Sequence, residues 1–124
     1  MPLHGRIAAG LPVEAPHATG DHLAVPAALL PDGAQQHYAL EVAGDSMSEA
    51  GILDGDMVII RRDATIESGA IAVASVAGNA TLKRIVRRGN DIVLEAANAN
   101  YPTRVFPAEM VSLQGQLVAL LRRY

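Results

Sequence analysis

The sequence predicts a compact, mostly β domain of largely antiparallel strands behind an irregular N-terminal arm, and three observations predict it. Five of the seven prolines fall at positions 2, 12, 16, 26 and 31, which forbids a regular helix over residues 1–36. From residue 37 onward apolar residues alternate with polar or small ones, the period-two signal of strands. Glycine-centred turns then recur at short intervals, giving about seven strands in the remainder of the chain. With 124 residues there is room for one apolar core, so residues 1–36 read as an arm of the same domain and 37–124 as its body.

Each strand has its own local reason. Tyr38, Leu40 and Val42 alternate with Ala39, Glu41 and Ala43, as in a half-buried strand. Met57 to Ile60 form a short continuous apolar run after the turn Asp54-Gly55-Asp56, as expected for a strand covered on both faces. Ala70 to Ala77 and Ala80 to Val86 flank Gly78-Asn79, a two-residue hairpin loop whose pairing sets Lys83 opposite Ala74. Ile92 to Ala96 follow Gly89-Asn90, and Met110 to Leu113 and Gln116 to Leu121 stand on either side of Gly115.

Composition excludes several classes of function. Ten Lys and Arg against thirteen Asp and Glu leave a formal charge of -3, so no global field draws the chain to phosphate backbones or acidic membranes. With no cysteine, there are no disulfides, thiolate metal sites or thiol catalysis, which fits a reducing cytoplasm. No apolar run reaches the roughly eighteen residues of a membrane span, and residues 1–10 lack a signal-peptide pattern. His4, His17, His22 and His37 match no familiar ligand spacing, so no metal site is predicted.

Two residues stand out chemically. Ser46, in Gly44-Asp45-Ser46-Met47, lies where the first strand of the body ends, a place that displays a hydroxyl on a sharp turn. Ser46 and Glu49 also match a capping box, so Ser46 reads equally as the cap of a short helical turn. Lys83 lies within a strand on the face shared by Thr81 and Ile85. Burial there strips the ammonium of water and lowers its pKa toward that of a usable base, whereas an outward-facing lysine would stay an ordinary solvated charge. Arg84, Arg87 and Arg88 are the cations near enough in sequence to oppose its protonation.

Three motifs in order and spacing resemble the catalytic domain of LexA-type SOS repressors, in the peptidase S24 family: Gly44-Asp45-Ser46-Met47, Gly51-Ile52-Leu53-Asp54-Gly55-Asp56 and Thr81-Leu82-Lys83-Arg84. The resemblance extends to Gly5 through Gly10, to Glu95-Ala96-Ala97-Asn98 and to the final strand. It implies the LexA/signal-peptidase-like β fold and a self-cleaving serine peptidase, with Ser46 as nucleophile and Lys83 as base. The backbone N–H groups of Asp45 and Ser46 would stabilise the oxyanion, and the cleaved bond would be Ala9-Gly10 in the arm. The resemblance further implies no cofactor, a homodimer, and stimulation by a RecA filament on single-stranded DNA.

Residues 1–36 cannot hold the three helices of a helix-turn-helix domain, so the chain is expected to be the C-terminal part of a repressor, reaching operator DNA only through an N-terminal domain outside it. Alternatives are a UmuD-like accessory protein of a translesion polymerase and an inactive dimerisation module of the same fold. An Ala-Gly site favours the repressor. Signal peptidase shares the serine-lysine chemistry but would want a membrane anchor. The apolar strand from Leu117 to Leu121 reads either as a dimer strand or as an interior one.

Overall fold

The computed structural model describes residues 3–8, 13–14, 37–62 and 65–124. Among them nine strands form one sheet: β1 (Leu3–Ala8), β2 (Val13–Glu14), β3 (His37–Ala43), β4 (Met57–Arg61), β5 (Ile71–Val76), β6 (Asn79–Arg88), β7 (Asp91–Glu95), β8 (Arg104–Pro107) and β9 (Val111–Leu121). The only helical elements described are two 3-10 turns, Ser48–Ala50 and Ala108–Met110. The strand order is β1-β3-β4-β9-β5-β6-β7-β8, and Ala8 of β1 also pairs with Thr81 of β6. That contact closes six strands into a ring from which β7 and β8 extend.

Period-two alternation sorts side chains between the two faces of the sheet. Tyr38, Leu40 and Val42 pack with Val58, Ile60, Val73, Ala80 and Leu82 into one buried cluster, joined by Met47 and Ile52 from the turn after β3. Ala72, Ala74, Ile85, Ile92 and Leu94 form a second cluster on the opposite face of β5 and β6. Ala39 and Ile59 lie under Val118, Ala119 and Leu121 in a third. Because β4 carries residues of both the first and third clusters, its continuous apolar run is covered on two sides, as its sequence predicts.

Four local expectations are corrected. The β5–β6 loop is Ala77-Gly78 rather than Gly78-Asn79, with φ of 53° and 82°, so Lys83 lies opposite Ala72 and Thr81 takes Ala74. A slip of two residues keeps every side chain on its own face. The segments on either side of Gly115 are one strand, bent by register shifts against both β4 and β5. A Cβ on Gly115 would meet Ile60 Cγ2 at 2.5 Å, and its φ of 149° favours glycine, so the bend requires that residue. The arm is not irregular throughout: β1 runs parallel to β3, and β2 pairs Val13 with Ala80 of β6. Finally, β8 was not expected.

An ion pair secures the turn between β3 and β4. Arg122, just past β9, holds Asp56 through two charge-assisted bonds, Nε to Oδ1 at 2.8 Å and Nη2 to Oδ2 at 2.7 Å, and donates to the carbonyl of Gly51. Asp56 is buried and also accepts from Leu53 N. The arginine holds its carboxyl below the usual carboxylate range.

Candidate active site

Ser46 and Lys83, 37 residues apart in the chain, meet. Lys83 Nζ lies 2.9 Å from Ser46 Oγ, 2.7 Å from Thr81 Oγ1 and 3.2 Å from the carbonyl oxygen of Leu82. Thr81 shares the face because it stands two positions before Lys83 on β6. Ser46 is fully buried and Lys83 is 8% exposed. Lys83 is therefore the solvent-stripped alternative, not the outward one.

The three contacts have a chemical order. An ammonium can donate to all of them, but a neutral amine has two N–H bonds and one lone pair. The carbonyl of Leu82 can only accept, so one of the two hydroxyls must donate to the lone pair; with Thr81 accepting, that donor is Ser46, the arrangement a proton transfer from the serine requires. Burial pushes the Lys83 pKa down to about 8, helped by the positive charge of Arg104. The neutral form is thus within reach under mildly alkaline conditions. The cation responsible is Arg104, not the sequence neighbours Arg84, Arg87 and Arg88; it stands on β8, across β7 from β6.

Ser46 does not cap the turn that follows it. Met47 occupies the cap position of the 3-10 turn, with no side-chain cap bond, and the Glu49 carboxylate instead accepts from Ala99 N at 3.1 Å. The serine loop is held from two sides. Asp54 Oδ1 accepts from Gly44 N at 2.8 Å. On the other side the segment after β7 grips it: Ala97 N donates to the Ser46 carbonyl at 2.7 Å and the Ala97 carbonyl accepts from Glu49 N at 2.7 Å. Asn98 Nδ2 donates to the Asp45 carbonyl at 2.9 Å, and the Tyr101 hydroxyl donates to the Asp45 carboxylate.

Beside Lys83 lies a cleft of about 300 Å³, lined among the described residues by Thr81, Lys83, Leu94, Pro102, Arg104 and Phe106 together with the β5–β6 turn. Its walls are largely apolar, with Lys83 and Arg104 as the cations among its lining. Sequence reading missed Arg104, the partnership of Thr81 with the lysine and the grip of Asn98 and Tyr101. Ala9 and Gly10 lie outside the described residues, as do His17 and His22. No group of three His, Asp or Glu side chains able to hold a metal occurs among the described residues, and no helix among them is long and apolar enough to cross a membrane.

A model of the Peptidase S24-like family matches residues 2–118. The chain belongs to that family. It is 59% identical to the LexA repressor of Gluconobacter oxydans (strain 621H), 57% to that of Acidiphilium cryptum (strain JF-5) and 58% to that of Gluconacetobacter diazotrophicus. All of this chain is covered in each case, against 52%, 53% and 49% of the relative, so the chain spans about half the length of these curated relatives. The mostly β, largely antiparallel S24 fold expected from the motifs is the fold observed.

Proposed function

We propose that this chain is the self-cleaving serine peptidase part of a LexA-type transcriptional repressor. The observation that carries the reading is a buried lysine amine 2.9 Å from a buried serine hydroxyl, its three hydrogen-bond partners among the described residues all neutral. Among the described residues no carboxylate bonds to that amine to keep it charged.

In this reading the reaction passes through an acyl-enzyme. Neutral Lys83 takes the hydroxyl proton as Ser46 Oγ bonds to the carbonyl carbon of Ala9, and the N–H groups of Asp45 and Ser46 receive the oxyanion. Lys83 returns the proton to the nitrogen of Gly10 as the Ala9-Gly10 bond breaks, leaving an ester on Ser46 and a new N-terminus. Water, deprotonated by Lys83, then hydrolyses the ester and Ser46 regains a proton. No metal or organic cofactor takes part.

The cleavage-site assignment draws support from the path of the chain. Ala8 pairs with Ala43, three residues before Ser46, and with Thr81, two before Lys83; the chain resumes pairing at Val13 with Ala80. Ala8 and Val13 therefore both pair with β6, the strand that carries Lys83, and a glycine at position 10 would tolerate the backbone that close approach to the serine requires.

In this reading a RecA filament on single-stranded DNA stimulates cleavage by binding the cleavable state better than the resting one, and the repressor contacts its operator through an N-terminal domain. The chain acts as a homodimer. Residues 116–121 of β9 pair with β4 on one side, and among the described residues no strand pairs with 117–121 on the other, leaving an edge for a second copy.

The test is to incubate the chain, Ser46→Ala and Lys83→Ala at about pH 10 and identify fragments by mass. Only the unsubstituted chain is expected to release a fragment beginning at Gly10. Release by both variants would remove the dyad from the reaction.

A further inference from the structure

The segment Glu95-Ala96-Ala97-Asn98 takes no part in the chemistry above, yet it supplies a side chain that holds the serine loop. Asn98 sits in the turn after β7. Its Oδ1 accepts from Asn100 N at 2.9 Å, which settles the orientation of the amide, so the atom facing the serine loop is the donor Nδ2. Nδ2 donates to the Asp45 carbonyl at 2.9 Å and to Ser48 Oγ at 3.2 Å.

The Asp45 carbonyl belongs to the same rigid trans peptide as the N–H of Ser46, and the two point in opposite directions. Whatever fixes that carbonyl also fixes the direction of that N–H, and a bond to the oxygen polarises the N–H as a donor. Besides Asn98, only Ser48 N among the described residues holds this oxygen, at 3.1 Å and from within the same turn. Among the described residues Asn98 is therefore the one anchor of this oxygen from outside the turn.

We propose that Asn98 is a positioning residue for the oxyanion hole: by gripping the Asp45 carbonyl it aims the Ser46 N–H at the carbonyl oxygen of the bond being cut. The assignment rests on the self-cleavage reading, in which the Ser46 N–H receives the oxyanion. It assigns a task to a motif that the dyad leaves without one. None of the bonds of Asn98 reaches Lys83, so its loss should slow the chemistry without changing the proton affinity of the base.

The experiment measures first-order release of the Gly10 fragment between about pH 6 and 10.5 for the unsubstituted chain, Asn98→Ala, Asn98→Asp and Ser48→Ala. Asn98→Asp keeps the acceptor for Asn100 N and replaces the donor with a carboxylate oxygen, which guards against a turn that fails to fold; the midpoint is read on Asn98→Ala, which adds no charge. Both Asn98 variants are expected to lose about ten- to a hundredfold in the alkaline plateau, less than the roughly hundred- to thousandfold cost of deleting an oxyanion donor outright because the N–H is misaimed rather than removed, with an unchanged midpoint in Asn98→Ala. Ser48→Ala, which leaves the bond to Asp45 intact, should stay close to the parent.

Asn98 variants that keep the parent plateau overturn the proposal, as does a loss in Asn98→Ala accompanied by a midpoint moving toward that of a solvated lysine, which reports a site merely loosened and re-wetted. An equal loss in Ser48→Ala also counts against it. If the unsubstituted chain releases no fragment, it is the self-cleavage reading that fails. Amide exchange over residues 45–48 then still decides the role of Asn98: faster exchange in Asn98→Asp than in the parent supports it, and equal exchange overturns it.

Discussion

Two buried charged residues, Asp56 and Lys83, show how one fold handles the same physical problem in opposite ways. Asp56 is met by a guanidinium in a two-bond fork and stays ionised, with its pKa lowered. Lys83, nearly as buried, is hydrogen-bonded among the described residues to two hydroxyls and a carbonyl, and its pKa falls to about 8. Both shifts are downward, but one favours the charged form and the other the neutral form. A buried charge with a partner serves the architecture, whereas one left without a counter-ion is poised to exchange a proton.

The contrast can be broken most severely at the lysine. Lys83→Met is expected to lower Gly10-fragment release by at least about a thousandfold, since the dyad acts as a unit, while the melting temperature at neutral pH stays level or rises because an apolar chain fills the same space. Asp56→Asn should do the reverse. It leaves Arg122 without its carboxylate partner and lowers the melting temperature by on the order of 5 °C or more, with cleavage well below melting little altered. If Asp56→Asn abolished cleavage while the fold held, the division of labour would be wrong.

A subtler expectation concerns pH. The folded pKa of Lys83, about 8, lies below the ordinary lysine value of 10.5. Between those values the unfolded chain holds more protons than the folded one, so this residue makes stability rise as pH climbs from about 8 toward 10.5. Melting temperatures of Ser46→Ala, which keeps the chain intact, should gain on those of Lys83→Met across that window; a constant difference would mean that Lys83 is not desolvated. The smallest effect belongs to Arg104→Gln. Removing that cation should let Lys83 hold its proton slightly longer and move the midpoint of the cleavage profile to higher pH, and a shift the other way would refute the electrostatic link.

What the sequence made legible was set by local pattern. Alternation around Leu40 and the apolar run at Ile59 each name a strand without help, and both strands stand where they were expected. Strand β8 carried no such signal: Arg104 and Val105 are exposed, and the strand exists because β7 offers it an edge. The hairpin was misread because Gly-Asn is the better turn sequence, while Ala77 accepts a positive φ that its side chain disfavours in order to pair Asn79 with Val76.

That misreading left the candidate site intact, since a two-residue slip does not turn Lys83 over. Motif spacing was enough to bring Ser46 and Lys83 together. Nothing in local sequence tied Tyr101 to Asp45, 56 residues away, or Arg104 to the lysine, because such contacts exist only after the sheet has closed.

The return of β1 and β2 to the strand that bears the lysine has a kinetic consequence. On the self-cleavage reading, a target carried in the chain between β1 and β2 is met at a fixed local abundance, however scarce the protein becomes. Dilution would leave the half-life of the arm untouched, and a clock built this way keeps the same time in a crowded solution as in a sparse one.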